Sequence, residues 1–272
     1  MDPVTSPPGA AELAEFAVEL AQGAGRLVQA GRQTTLAVSA KSTASDLVTQ
    51  VDRQSERWLV EHILARRPED GILGEEGGER PGRSGVRWVL DPIDGTVNFV
   101  LGLPFYAVSV AAEIDATVVA GAVCNPAAAE TYWAWLGGGA YLGDTRLAGP
   151  GTTELAAAVV GTGFGYDAAH RGRQAEVLVR LLPRMADLRR FGAASLEICN
   201  VAAGRLDGFF EAALNPWDYA AASIVATEAG CVTSGLHGRP GSAQLFAVAG
   251  RGLAEAFFAE LEGVGADLTR PG

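Results

Sequence analysis

The stretch WVLDPIDGTVNF, residues 88–99, holds the pattern from which the rest of this chain is read. Trp88 to Leu90 form an apolar strand, and Asp91 stands where that strand runs out. Pro92 breaks the ladder, Asp94 follows three residues after Asp91, and Gly95-Thr96 can open a helix. Two carboxylates in so tight a turn can share one divalent cation or hold two close together. The amides of Gly95 and Thr96 at a helix start favour a phosphate oxygen. An Asp-Pro, Asp-Gly turn that merely caps a helix is the plainer alternative.

Three further acidic places bear on that choice. GEEGG, residues 74–78, sets Glu75 and Glu76 side by side in a glycine-flanked loop, where they repel unless water or a cation separates them. SDLVTQVD, residues 45–52, places Asp46 at a helix N-cap with Asp52 on the same helix. NPWDYAAA, residues 215–222, places Asp218 in the first turn of an alanine-rich helix, where an acid ordinarily complements the dipole. Hard oxygen donors without a His or Cys cluster point to Mg²⁺ rather than zinc. His62, His170 and His237 stand alone, no GxSxG or Walker pattern occurs, and GTGFG at 161–165 is too short for a dinucleotide fingerprint. Asp91 and Asp94 are separated by two residues, which argues against a covalent aspartate of the DxD type.

Working outward, residues 11–31 repeat apolar side chains at three and four, predicting a helix. A second is predicted from about Asp46 into Arg67 and stopped by Pro68. Short apolar runs bounded by Gly and Pro then extend to Leu136, with a hairpin at Asp115-Ala116, predicting a mainly antiparallel sheet. After Pro150-Gly151 strands and helices alternate: strands at 156–161, 205–212 and 244–249, helices at 170–188, 193–203, 216–229 and 253–261. The expectation is an α+β chain of two tightly packed sub-domains, each with a sheet, over 11–150 and 151–272, after a mobile Pro-rich segment 1–10.

Composition narrows the class of partner. Against 32 Asp+Glu stand 21 Lys+Arg, a net charge of −11, so no basic footprint for nucleic-acid backbones or anionic membranes is present. Lys41 is the sole lysine among those 21. Cys124, Cys199 and Cys231 are odd in number and far apart, suiting buried side chains in a reducing cytoplasm. No signal peptide or membrane span is evident, and a cytoplasmic location is expected.

Taken in order, KSTASDLVTQVD (41–52), GEEGG (74–78), WVLDPIDGTVNF (88–99), RRFGAASLE (189–197), VAAGRLDGFFE (201–211) and PWDYAA (216–221) resemble the inositol monophosphatase family of Mg²⁺-dependent, lithium-sensitive phosphatases. The resemblance implies a layered α-β-α-β-α sandwich, commonly a homodimer, using two or three Mg²⁺ ions. It implies that Glu75, Asp91 and the Ile93 carbonyl bind one metal, and that Asp91, Asp94 and Asp218 bind a second. A third, looser metal would also lean on Glu75. Thr96 and Asp52, with Glu75 nearby, match the pair that orients and deprotonates the attacking water. Gly95 and Thr96 match phosphate contacts, and Asp94, Gly192, Ala193, Ala194 and Glu211 match contacts to sugar hydroxyls. Glu76 and Lys41 match supporting positions around the site.

Two departures from the family pattern stand out: Ala193 replaces a usual Ser or Thr in the G-[ST]-A-A segment, and Ala222 replaces a common glycine. The expected activity is hydrolysis of inositol monophosphate, with histidinol phosphate, fructose 1,6-bisphosphate and 3′-phosphoadenosine 5′-phosphate as alternatives within the fold. A partner-binding, regulatory protein is the alternative from another class.

Overall fold

A computed structural model describes residues 9–32, 38–40 and 47–267. Lys41, Asp46 and most of the Pro-rich beginning lie outside them. In chain order the elements are α1 (Ala10–Gly31), β1 (Val38–Ala40), β2 (Leu47–Thr49), α2 (Gln50–Arg66), β3 (Gly71–Gly74), β4 (Gly78–Arg80), β5 (Val86–Asp94) and α3 (Thr96–Leu101). Then come β6 (Ala107–Ile114), β7 (Thr117–Asn125), β8 (Glu130–Trp135), β9 (Gly139–Leu142) and β10 (Thr145–Arg146). The remainder is β11 (Val159–Thr162), α4 (Ala168–Leu181), β12 (Asp187–Arg189), α5 (Ala194–Ala202), β13 (Gly208–Glu211), α6 (Pro216–Glu228), β14 (Val232–Ser234), β15 (Phe246–Ala249) and α7 (Ala254–Val264).

β10-β9-β8-β7-β6-β5-β3-β4 form an eight-stranded sheet, antiparallel except where β3 runs parallel to β5. β12-β11-β13-β15-β14 form a second, mixed sheet. The larger sheet ends at Arg146 and the second begins at Val159, so the change of rhythm near residue 150 falls between the two.

Strand alternation assigns successive side chains to different cores. On β5, Trp88 and Leu90 enter the apolar layer beneath α1 and α2, while Val89 enters the layer shared with α5 and α6. A third layer joins the far face of the smaller sheet to Phe257 and Leu261 of α7 and to Val177 and Leu181 of α4. These layers make the α-β-α-β-α stack. Within it α6 lies very close to the larger sheet: a Cβ on Gly121 would come 2.9 Å from the Ala221 Cα. Small residues on both sides permit that approach, which carries the start of α6 to the end of β5.

Several expected boundaries shift, each for a local reason. The second helix does not begin at Asp46. Residues 47–49 are strand, and Thr49 is the N-cap because its hydroxyl accepts from the Val51 and Asp52 amides at 3.0 and 3.3 Å. The helix expected over 170–188 ends at Leu181, because Pro183 allows only a 3₁₀ turn and the chain re-enters the sheet as β12. The strand expected over 156–161 is β11, preceded by a 3₁₀ turn at Leu155–Ala157. The Asp115-Ala116 hairpin is present, both residues having positive φ of 49° and 60°. Cys124, Cys199 and Cys231 are all buried and unbonded. No helix among the described residues is long and apolar enough to cross a membrane.

Candidate active site

Four helices start at one place, around the end of β5. The β5–β6 ladder pairs Asp91 with Ser109, then slips before pairing Asp94 with Ala107. In a regular strand, residues three apart face opposite sides. The slip brings both carboxylates into one field, and the Asp91 Oδ1 accepts from the Ile93 amide at 3.0 Å. Gly95, at φ 85°, then turns the chain into α3 with Thr96 first.

Asp52 enters from the first turn of α2. It completes a capping box with Thr49, accepting from the Thr49 amide at 2.9 Å and its hydroxyl at 2.5 Å. The Thr96 hydroxyl faces the other Asp52 oxygen at 3.2 Å and the Ile93 carbonyl at 3.0 Å. Burial, opposed by the Thr49 bonds and aided by Glu76, pushes the Asp52 carboxyl above its ordinary range.

Asp218 occupies the matching position in α6, its carboxylate accepting from the Asn215 amide at 2.6 Å. The Ser109 hydroxyl bonds the Trp217 carbonyl at 3.3 Å, tying that helix start to the strand residue opposite Asp91. Burial, and after it Glu75, Asp94 and Asp218, push the Asp91 carboxyl well above the carboxylate range. Four acids from three distant segments therefore act on one another. Among the described residues no three of them are drawn together into a finished cation cage. Asp94 and Asp218 each accept from nearby amides.

Glu75, Asp94, Gly95, Asp218, Arg190 and Glu211 line a cleft of about 390 Å³, whose lining does not include Asp52, Asp91 or Thr96. Arg190 is the one cation among the described residues lining it. Glu211 lies beneath the Gly163 backbone, where a Cβ would fall 2.0 Å from its carboxylate. Burial, then Glu197 and Asp218, raise Glu211 well above its usual value. Gly192 and Ala194 line the cleft, and Ala193 is the N-cap of α5.

Several contributors were not marked as site residues by the sequence. GTGFG, read only as a poor dinucleotide motif, supplies Gly163 to Gly165 of the cleft wall, and Gln174 holds it through the Gly165 amide at 2.9 Å. Glu56, buried one turn after Asp52, accepts from the Glu76 amide at 2.9 Å and so holds the Glu75-Glu76 loop. Its available signal was a second acid, after Asp52, on a helix face otherwise directed inward. Ser195 donates its hydroxyl to Asp94 at 2.5 Å.

Glu197, fully buried, accepts at Oε1 from the Phe191 and Gly192 amides at 3.0 and 2.9 Å, while Oε2 has no partner among the described residues. Its signal was a lone acid in the apolar run ASLEICNVA. Burial pushes its pKa up to about 8, against the opposing pull of those two amides and Arg190. Because the folded value lies above the unfolded one of 4.5, Glu197 favours the folded state at acid pH. That contribution is lost as pH rises towards 8. Glu197→Gln, which stays neutral, is expected to flatten the fall of unfolding free energy, read by denaturant titration, between pH 5 and 9 in EDTA, by up to about 1.4 kcal/mol per pH unit. Parallel curves for the two proteins would show that Glu197 is ionised throughout.

An α-β-α-β-α stack with a carboxylate-lined cleft at converging helix starts defines this chain as an α+β sandwich protein with an acidic cleft. Residues 10–266 match the inositol monophosphatase family, and the chain belongs to that family. It is 46% identical over 236 residues to the inositol-1-monophosphatase SuhB of Mycobacterium tuberculosis, covering 83% of this chain and 81% of that protein. It is 38% identical over 243 residues to the Nus factor SuhB of Pasteurella multocida, covering 87% and 91%. The crystal structure of the extragenic suppressor protein suhB from Bartonella henselae superposes with a TM-score of 0.86 at 32% identity, over 95% of this chain and 99% of that one.

Proposed function

We propose that this phosphatase hydrolyses a polyol phosphate, inositol monophosphate foremost, with Mg²⁺ held by Glu75, Asp91, the Ile93 carbonyl, Asp94 and Asp218. The supporting observation is the buried Asp91, whose ionisation is opposed by burial and by three neighbouring carboxylates. A divalent cation reverses that opposition, and a donor set made only of oxygens fits a hard ion such as Mg²⁺. When bound, the cation neutralises the phosphate and makes the attacking water more acidic.

The remaining steps belong to the protein. Asp52, oriented by Thr49 and hydrogen-bonded to Thr96, accepts the proton of the attacking water, and Thr96 fixes the line of approach. The amides of Gly95 and Thr96, at the start of α3, hold a phosphate oxygen in line. Glu211 and the 192–194 turn receive the hydroxyls of the leaving polyol. The name of the mycobacterial relative supports inositol phosphate as the first substrate to try.

The test is phosphate release from inositol 1-phosphate, histidinol phosphate, fructose 1,6-bisphosphate and 3′-phosphoadenosine 5′-phosphate, in Mg²⁺ and in EDTA. The expected result is fastest turnover of inositol 1-phosphate, abolished by EDTA. Equal, slow turnover of all four would overturn the inositol assignment, and full activity in EDTA would overturn the cation. A regulatory role beside hydrolysis draws support from the relative named as a Nus factor. A cellular phenotype that survives Asp91→Asn would favour it.

A further inference from the structure

Helix α5 has no N-cap of its own. Its cap position is Ala193, whose side chain cannot accept a hydrogen bond, so the amides of its first turn need an acceptor from elsewhere. Asp94 supplies it from the other sheet, 101 residues earlier in the chain. Its Oδ2 accepts from the Ser195 amide at 2.7 Å and the Ser195 hydroxyl at 2.5 Å, and the Ala194 amide adds a further bond. Ser195 itself is fully buried, so its hydroxyl meets no competing water.

From this geometry we propose that Ser195 is a positioning residue for cation binding. It pins one oxygen of Asp94 to the start of α5 while Asp94 lines the cleft. The inference rests on the cation reading of Asp94 given above. The hydroxyl donated to the carboxylate is a charge-assisted bond. It removes the rotational freedom of a short side chain, so less order has to be imposed when an ion arrives. Ala193 and Ser195 thus form one device: absence of a hydroxyl at the cap frees the amides for Asp94, and its presence two residues later holds Asp94 there.

The arrangement also ties the two sheets together. The Asp94 carboxylate caps a helix of the layer between them, so a loss of its grip loosens α5 as well as the ion site. A purely structural cap and a positioning residue therefore differ in what they predict for cation affinity.

The experiment is isothermal titration of Mg²⁺ into the wild-type protein and Ser195→Ala, with melting temperatures of both in EDTA. Ser195→Ala is expected to weaken Mg²⁺ binding about tenfold, the value of one charge-assisted bond of roughly 1.4 kcal/mol. A second variant, Ala193→Ser, gives α5 a local acceptor that competes with Asp94 for the first-turn amides. It is expected to raise the melting temperature in EDTA while also weakening Mg²⁺ binding. A lower melting temperature for Ser195→Ala with unchanged Mg²⁺ affinity would overturn the proposal and leave Ser195 a structural cap. Unchanged values for both measurements would overturn it too. Absence of Mg²⁺ binding by the wild-type protein would instead count against the cation reading itself.

Discussion

Asp91→Asn is expected to reduce turnover by a factor of a thousand or more, about 4 kcal/mol of transition-state stabilisation, and yet to melt above the wild type in EDTA. Both effects arise from one position. Asp91 sits at the slip in β5, within the field of Glu75, Asp94 and Asp218, and is proposed to serve both metal positions. Asparagine keeps the shape and the oxygen but loses the charge, so the cation loses its common ligand. Without a cation that charge is a liability. The folded-state pKa lies well above the ordinary value of 3.8, so ionising Asp91 destabilises the fold as pH rises. The melting advantage of Asp91→Asn should therefore widen from pH 4 to pH 8. For a chain of this length each kcal/mol corresponds to about 2–4 °C. Steady-state phosphate release and differential scanning calorimetry in EDTA test the two halves. Activity within tenfold of wild type would remove Asp91 from the metal assignment.

Mg²⁺ itself should raise the melting temperature of the wild-type protein by about 5–10 °C. A ligand present at a hundred times its dissociation constant stabilises the folded state by about 2.7 kcal/mol per site, and the conversion to degrees follows the size of the chain. The shift should shrink at pH 5, because protons compete with the cation for carboxyls whose pKa is already raised by burial, Asp91 and Asp94 foremost. It should vanish in Asp91→Asn. Thermal scans over a Mg²⁺ series at pH 5 and pH 8 provide the check. A melting temperature indifferent to 10 mM Mg²⁺ at about pH 8 would contradict the proposed site.

The carboxylates of this site were visible in the sequence because each announces itself locally. Asp91 and Asp94 bracket a proline at the end of an apolar run, Asp218 opens a helix, and Glu75-Glu76 is an acidic pair between glycines. Helices α1, α5, α6 and α7 were legible to within a few residues from their apolar spacing. The start of α2 was misplaced because Asp46 and Thr49 are both acceptable caps, and only the pairing of β1 with β2 selects the later one. Strands β1, β2, β4, β9, β10 and β14 went unread, and β12 was taken as the end of a helix. At two to four residues each they carry too little alternation to register and exist because a neighbouring strand pairs with them.

The sequence by itself marked which carboxylates stand at strand ends and helix starts, because short-range spacing and capping are written in neighbouring residues, and the family resemblance implied their roles. Only the tertiary structure decided that Asp94 caps a helix 101 residues away, that Glu211 lies under Gly163 and that Glu56 holds the Glu75-Glu76 loop. Burial and the attraction or repulsion of charges depend on separation through space, and the net charge of −11 contains no record of it. Composition shows an excess of acids. Folding buries Asp91 and Asp94 among the others at the converging helix starts, and there that excess gains the affinity for a cation proposed above.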